Sequence, residues 1–185
     1  MIWTPDRDGF WSDAAHAARM ARGWPAGETI CGPGSRRDMA RNIRMWLPQV
    51  VAKHGIDSLV NAGAGDLNWW GDLRDLPCRV THLDLIPRHP DVLAWDITAR
   101  QMPACDAVLM RHVLIHFDPP RVVAALGSAR AAGARFLIAS QYSPGQKFTR
   151  LDCTLYDLRE FGLGEPLDQV PDAQAGAQTL ALWRI

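Results

Sequence analysis

The 185 residues carry 20 Lys and Arg against 20 Asp and Glu, a formal net charge of zero, and 48% of them are apolar while 22% are charged. That length and composition suit one domain with its own core and exclude a disordered chain. The zero balance excludes a protein that holds nucleic acid by bulk electrostatics alone, and no apolar run approaches the ~18 residues of a membrane span.

Residues 1–30 read as an N-terminal helical segment with Trp3, Trp11 and Trp24. Ser12 to Arg22 is an alanine-rich helix capped by Ser12 or Asp13, and Gly23, Pro25 and Gly27 break it. After the turn Gly32-Pro33-Gly34-Ser35, a helix is expected over Arg36 to Lys53. Its apolar stripe is Met39, Ile43, Trp46, Leu47 and Val50, with Pro48 as a kink and Gly55 as the stop. Ser35 to Asp38 has the spacing of a capping box for that helix. From Ile56 onward, short apolar runs read as strands: Ser58–Ala62, Arg79–Leu83, Val92–Trp95, Ala107–Met110 and Phe136–Ala139. Helical or turn segments separate them, the clearest over Asp118 to Ala132. Thr179–Ile185 closes the sheet as an edge strand. Strands alternating with helices imply an α/β fold with a parallel sheet covered on both faces. No basic segment followed by an apolar stretch is present, so no signal peptide is expected. The cysteines at 31, 78, 105 and 153 lack CxxC spacing and read as reduced thiols of a cytoplasmic protein.

The sharpest local signal is Ser58-Leu-Val-Asn-Ala-Gly-Ala-Gly-Asp66, a strand running into a glycine turn. Gly63 and Gly65 allow a tight turn and close approach of a ligand. The strand Thr81-His-Leu-Asp84 then ends in a carboxylate that can accept both hydroxyls of a ribose, which points to a cofactor containing adenosine. A dinucleotide is disfavoured, because Asn68 stands where GxGxxG needs its third glycine. Asp66 also places negative charge where a pyrophosphate would sit. S-adenosylmethionine, with an ammonium, a sulfonium and no phosphate, suits that charge.

Over residues 31–185 the chain resembles the class I S-adenosylmethionine-dependent methyltransferases, closest to small bacterial and phage-type enzymes with a Gly-x-Gly-Ser turn ahead of the first motif. The residues that carry the resemblance are Asn61-Ala-Gly-Ala-Gly-Asp66, Asp84, Trp95-Asp96-Ile97, Met110-Arg-His-Val-Leu-Ile-His-Phe117 and the ending Leu180-Ala-Leu-Trp-Arg184. The resemblance implies a Rossmann-like, doubly wound, mostly parallel seven-stranded sheet with an antiparallel last strand. It implies S-adenosyl-L-methionine as cofactor and S-adenosyl-L-homocysteine as product. It assigns cofactor contacts to Ser35, Asn61, Gly63, Gly65, Asp66, Asp84, Leu85, Asp96 and Ile97, with Asp96 toward the adenine amino group and Ile97 against the ring. The family usually has Asp or Glu where this chain has Asn61, and often glycine where it has Leu67.

Arg111 follows the fourth strand at the carboxyl edge, where ligands bind in open α/β sheets, and is expected to touch cofactor or acceptor. His116 and His112 are candidate general bases, since methyl transfer is an in-line displacement that leaves a proton to be removed. Satisfied structural histidines are the alternative for both. No metal site is expected, because no third and fourth ligand accompany that pair. Asp118-Pro-Pro-Arg121 is a helix start, with Asp118 as cap and Pro at the first turn. Trp69 and Trp70 sit beside the cofactor or in the core. Arg37, Arg41 and Arg44 form a solvated face or a phosphate-reading patch. The function expected is methyl transfer to a small-molecule or nucleotide-like acceptor, residues 1–30 serving as a lid. A nucleic-acid methyltransferase and a non-catalytic cofactor-binding or scaffold module stay open. No membrane partner is expected, and the oligomeric state is not legible.

Overall fold

A computed structural model describes residues 27–73, 75–142, 149–150, 153–172 and 178–185. The expected helix over Ser12 to Arg22, and with it Trp3, Trp11 and Trp24, lies outside the described residues, as does part of the loop around 141–152.

The first helix, α1, spans Arg41–His54 and buries Ile43, Trp46, Leu47, Val50 and Val51 along one stripe. It begins five residues later than the apolar spacing suggests. The Arg36 guanidinium closes on Asp38, through Nε to Oδ1 at 3.0 Å and Nη2 to Oδ2 at 2.8 Å, and Oδ1 also accepts the Met39 N–H. With that carboxylate engaged locally, the capping box does not form; the N-cap is Ala40, without a side-chain bond. Pro48 lies inside the helix and withholds one N–H from its ladder. Gly55 ends it in the left-handed conformation, φ 58°, as expected.

The sheet has seven strands: β1 Ser58–Ala62, β2 Arg79–Asp84, β3 Val92–Ala94, β4 Ala107–Met110, β5 Phe136–Tyr142, β6 Asp168–Pro171 and β7 Gln178–Arg184. Their order is β3-β2-β1-β4-β5-β7-β6. The first five pair in parallel, and β7 runs antiparallel to both β5 and β6. The α/β architecture with an antiparallel last strand is thus as expected, with one correction: the segment expected as the edge strand is interior. The edge is β6, absent from the sequence reading, because Asp-Gln-Val-Pro is short, alternates half-exposed with exposed positions, and ends in a proline that only an edge tolerates. Trp46 Nε1 donates to Asp168 and Lys53 pairs with it at 2.7 Å, so α1 holds that edge.

The second helix, α2, spans Pro119–Ala131, and Asp118 Oδ1 caps it by accepting the Arg121 N–H at 3.1 Å. The helices cover opposite faces. Along β5, Leu137 joins the layer of Val60, Val108, Leu126 and Trp183, while Ile138 joins that of Ile43, Leu47, Leu59 and Leu182. This is the period-2 alternation of a sheet buried on both sides. Thr149–Arg150 and Cys153–Thr154 form a separate two-residue ladder. Among the described residues no helix is long and apolar enough to cross a membrane.

Candidate functional site

The strand order reverses between β1 and β4, which opens a crevice at their carboxyl ends. A cavity of about 300 Å³ fills it, lined by the ends of β1, β2, β3 and β4 and by residues 30–35. That is the lower end of the range for small-molecule sites.

The glycine turn forms its floor. The Gly63 and Ala64 N–H groups both donate to the Leu83 carbonyl, at 2.8 and 3.0 Å, which bends the chain sharply as β1 ends. Gly63 and Gly65 have φ of 76° and 61°. A Cβ on Gly63 would stand 2.2 Å from Val113 Cγ2, and one on Gly65 2.8 Å from Cys31 Sγ, so neither position admits a side chain without displacing its neighbour. Leu67, where the resembled family often has glycine, keeps the left-handed backbone at φ 56°.

Asp84 ends β2 in the cavity wall, its Oδ2 accepting the Gly65 N–H at 2.8 Å and its Oδ1 the Ile86 N–H at 3.1 Å. Burial pushes its pKa up, and these N–H bonds oppose the shift. Beside it Leu85 lies partly exposed in the same wall. Asp96 and the buried Ile97 follow β3, Asp96 Oδ1 accepting the Thr98 N–H at 2.8 Å and hydroxyl at 2.6 Å. Ser35 lies in the tight turn Pro33–Ser35 on the opposite wall, where its carbonyl accepts from Asn68 Nδ2 at 3.0 Å.

Two candidates stand elsewhere. Asn61 is buried, pairs with His82 across β1 and β2 at 3.1 Å, and is not a wall residue. Asp66 does not stand open toward a cation: Oδ2 accepts from the Thr29 hydroxyl (2.8 Å) and the Ile30 N–H (2.9 Å), and Oδ1 from the Asn68 N–H. It anchors the segment that enters the wall. Trp69 and Trp70 are core, packed edge to face at 5.2 Å on the α1 side. Of the expected arginine face, Arg41 and Arg44 lie in the first turn of α1, and Arg44 donates to the Arg37 carbonyl at 3.2 Å.

The segment after β4 carries Arg111, His112 and His116, all in the wall. His116 closes the short turn Leu114–His116, so the pair does not sit on an α-helical face. His112 has φ 56°, uncommon outside glycine and costing about 1 kcal/mol or more, and its N–H is fixed by Ser140 Oγ at 2.9 Å. The Arg111 fork closes on Asp172, Nε to Oδ2 at 3.0 Å and Nη2 to Oδ1 at 2.9 Å. Burial alone would raise the Asp172 pKa, but the His112 contact and the Arg111 charge hold it well below the usual carboxylate range. Burial lowers the pKa of His112 despite that same carboxylate, leaving it neutral near pH 7. Burial and the nearby Asp66 charge push the Cys31 thiol up to about 12, so it stays protonated. Among the described residues no group of three or more His, Cys, Asp or Glu could hold a metal ion. Asp172, Gln178 and Ser140 were not singled out in the sequence; no local motif marks them. The Gly32–Ser35 turn was visible as Gly-Pro-Gly, with Ser35 expected at the cofactor, and the structure puts the turn in the cavity wall.

No protein-family model and no curated protein matches the chain. Solved structures do. A magnesium protoporphyrin IX methyltransferase from Synechocystis PCC 6803, with bound S-adenosylhomocysteine, superposes with a TM-score of 0.64 at 12% identity over 96% of this chain and 98% of its own. The N-methyltransferase NodS of Bradyrhizobium japonicum gives 0.62 at 14% identity, over 91% of this chain and 97% of its own. The 1,6-didemethyltoxoflavin-N1-methyltransferase of Burkholderia thailandensis gives 0.60 at 18%, over 92% and 88%. The chain has the fold of the class I S-adenosylmethionine-dependent methyltransferases. Within that methyltransferase fold the cavity lies at the carboxyl edge of the parallel strands, at the reversal of strand order.

Proposed function

We propose that the protein is an S-adenosylmethionine-dependent methyltransferase of the cytoplasm, acting on a small-molecule or nucleotide-like acceptor. One observation carries this: Asp84, at the end of β2, shares a cavity wall with the Gly63–Gly65 turn and is tied to it by the 2.8 Å bond from the Gly65 N–H. The donor set fits the cofactor. A strand-end carboxylate suits two ribose hydroxyls, the left-handed glycines present bare backbone, and Leu85, Trp95 and Ile97 give apolar surface for a purine beside Asp96. When bound, the cofactor supplies a methyl group on a sulfonium, ready for in-line displacement.

The chain's own residues then have separable tasks. Asp84 and Asp96 accept hydrogen bonds and set the cofactor's position, Leu85 and Ile97 exclude water from the ring, and Ser35 closes the opposite wall. His116 and His112 both line the wall and are the two candidates for the proton of the acceptor. In the same reading residues 31–185 are the methyltransferase domain, and Ile30 also lines its cavity wall; residues 1–26 lie outside the described residues. A nucleic-acid acceptor would need the Arg37, Arg41 and Arg44 face to belong to a larger basic surface.

The test is titration calorimetry with S-adenosylmethionine and S-adenosylhomocysteine on wild type and Asp84→Asn. The expected result is saturable binding in wild type, weakened about tenfold or more in the variant, the loss of roughly one charge-assisted hydrogen-bond pair. No heat and no thermal shift with either ligand would sink the reading. Binding without turnover across a broad acceptor panel would favour the non-catalytic module.

A further inference from the structure

We propose that Asp172 is the positioning residue of the reactive end: one buried carboxylate that holds the Gly32–Ser35 turn in the cavity wall through Arg111, and fixes the His112 ring beside it. The identity of the ligand rests on the methyltransferase reading above; the geometry does not.

The turn needs outside support. Residues 30–35 form a continuous stretch of wall, yet Gly-Pro-Gly offers almost no side chain to anchor it. Inside the turn the Ser35 N–H reaches the Gly32 carbonyl at 2.9 Å. From outside, Asn68 Nδ2 holds the Ser35 carbonyl at 3.0 Å and Arg111 Nη1 holds the Gly34 carbonyl at 2.6 Å.

Arg111 is aimed by Asp172. A two-point fork fixes the plane of a guanidinium as well as its place, so the remaining Nη1 is directed at Gly34. The two side chains are 3% and 1% exposed. Buried ion pairs are commonly no more stabilising than apolar residues of the same size, so net stability gives no reason for this pair. Directing the third nitrogen onto the turn does.

The same carboxylate reaches His112. Consecutive residues of an extended strand point to opposite sides. Arg111 and His112 do not, because the left-handed backbone at His112 breaks the alternation as β4 ends. Both side chains therefore converge on Asp172 Oδ2, His112 Nε2 at 3.4 Å. Gln178 Nε2, at the start of β7, donates to that oxygen at 3.2 Å and lies 3.2 and 3.3 Å from His112 Nδ1 and Nε2. Asp172 and Gln178 together fix the ring. Asp172 is not a wall residue and acts through the groups that are.

The experiment uses the full chain with three variants. Arg111→Lys keeps the charge beside Asp172 but cannot span Asp172 and Gly34 together, and Asp172→Asn removes the charge that orients the fork. Arg111→Met with Asp172→Leu removes both charges and guards against misfolding from a stranded ion. Amide exchange over residues 31–35 is measured without ligand, and S-adenosylhomocysteine affinity by calorimetry. All three variants are expected to accelerate exchange in that segment about tenfold or more while β5 amides stay protected. If the competent turn falls to a tenth of its population, apparent affinity falls tenfold. Unchanged exchange and affinity in a folded double variant would overturn the proposal, as would exchange raised equally throughout the chain. A wild type that binds no S-adenosylhomocysteine defeats the methyltransferase reading, and the exchange measurement still decides the role of Asp172.

Discussion

At the amino end of the sheet Asp106 pairs with Arg135, and at the carboxyl end Asp172 pairs with Arg111. The first pair is open to water, its side chains 27% and 49% exposed. Asp106 Oδ2 accepts from the Asp57 N–H and the Ser58 hydroxyl, Oδ1 accepts from Arg135 at 3.2 Å, and these bonds, Ser58 first, lower its pKa. It ties the connection ahead of β1 to the one ahead of β5, where Arg135 also donates to the Gly55 carbonyl at 2.9 Å. The second pair is closed off, and its neighbours include a histidine in a left-handed conformation and the Gly32–Ser35 turn, whose Gly34 carbonyl accepts from Arg111. The same two residue types therefore do different things. In water an ion pair is screened and its partners are resolvated when it breaks. In the core, losing one member leaves the other charged and dry.

Mutation can break that contrast. Asp172→Ala is expected to have the largest effect, lowering unfolding free energy by about 3–5 kcal/mol by stranding Arg111. Chemical denaturation of this variant beside Arg111→Met with Asp172→Leu is the check, and the double variant should recover most of the loss. Gly63→Ala comes next, at about 2 kcal/mol, because a Cβ at φ 76° meets Val113 Cγ2 at 2.2 Å. Adding Val113→Ala should return part of it, and failure to do so would point to the backbone angle alone. The pH dependence is smaller. Burial holds His112 and His82 below their ordinary value, so below about pH 6.5 the unfolded chain binds more protons than the folded one and stability falls with pH. Asp172 extends the loss into acid: its contribution is complete above about pH 3.9 and vanishes as pH drops through its depressed folded value. Thermal unfolding in steps between about pH 7.5 and 5.5 should show a declining midpoint, with a shallower slope in His82→Gln. Arg135→Ala should have the smallest effect, about 1 kcal/mol or less, and a larger loss would erase the contrast between the two ends.

What the sequence made legible were local signals. The Gly63–Gly65 turn and the strand ending in Asp84 announce themselves within a few residues each, because a tight bend needs glycine and a charged strand end is unusual. Asp118 ahead of two prolines could hardly be other than a helix start. Asp172 was invisible for the opposite reason. It is one of 20 acidic residues, and its partner Arg111 lies 61 positions earlier, with no spacing rule to connect them. The start of α1 was misjudged because Arg36 and Asp38 close on each other, a contact that apolar periodicity does not register. Asn61 keeps the motif's place in the chain while its side chain turns to His82, since strand register rather than motif position decides which face a residue meets.

The placement of β7 between β5 and β6 has a consequence for how the protein is made. Residues 168–171 are translated before residues 178–184, yet in the finished sheet they pair with nothing else. During vectorial synthesis β6 must wait unpaired until β7 has emerged and docked on β5. Gln178 opens that late strand, and Asp172 is carried on the connection leading to it. The glycine turn and Asp84 belong to β1 and β2 and can form earlier on the nascent chain. The half of the cavity built on β1 and β2 is therefore assembled before the half braced by Asp172, and the pocket is complete only once β7 is in the sheet.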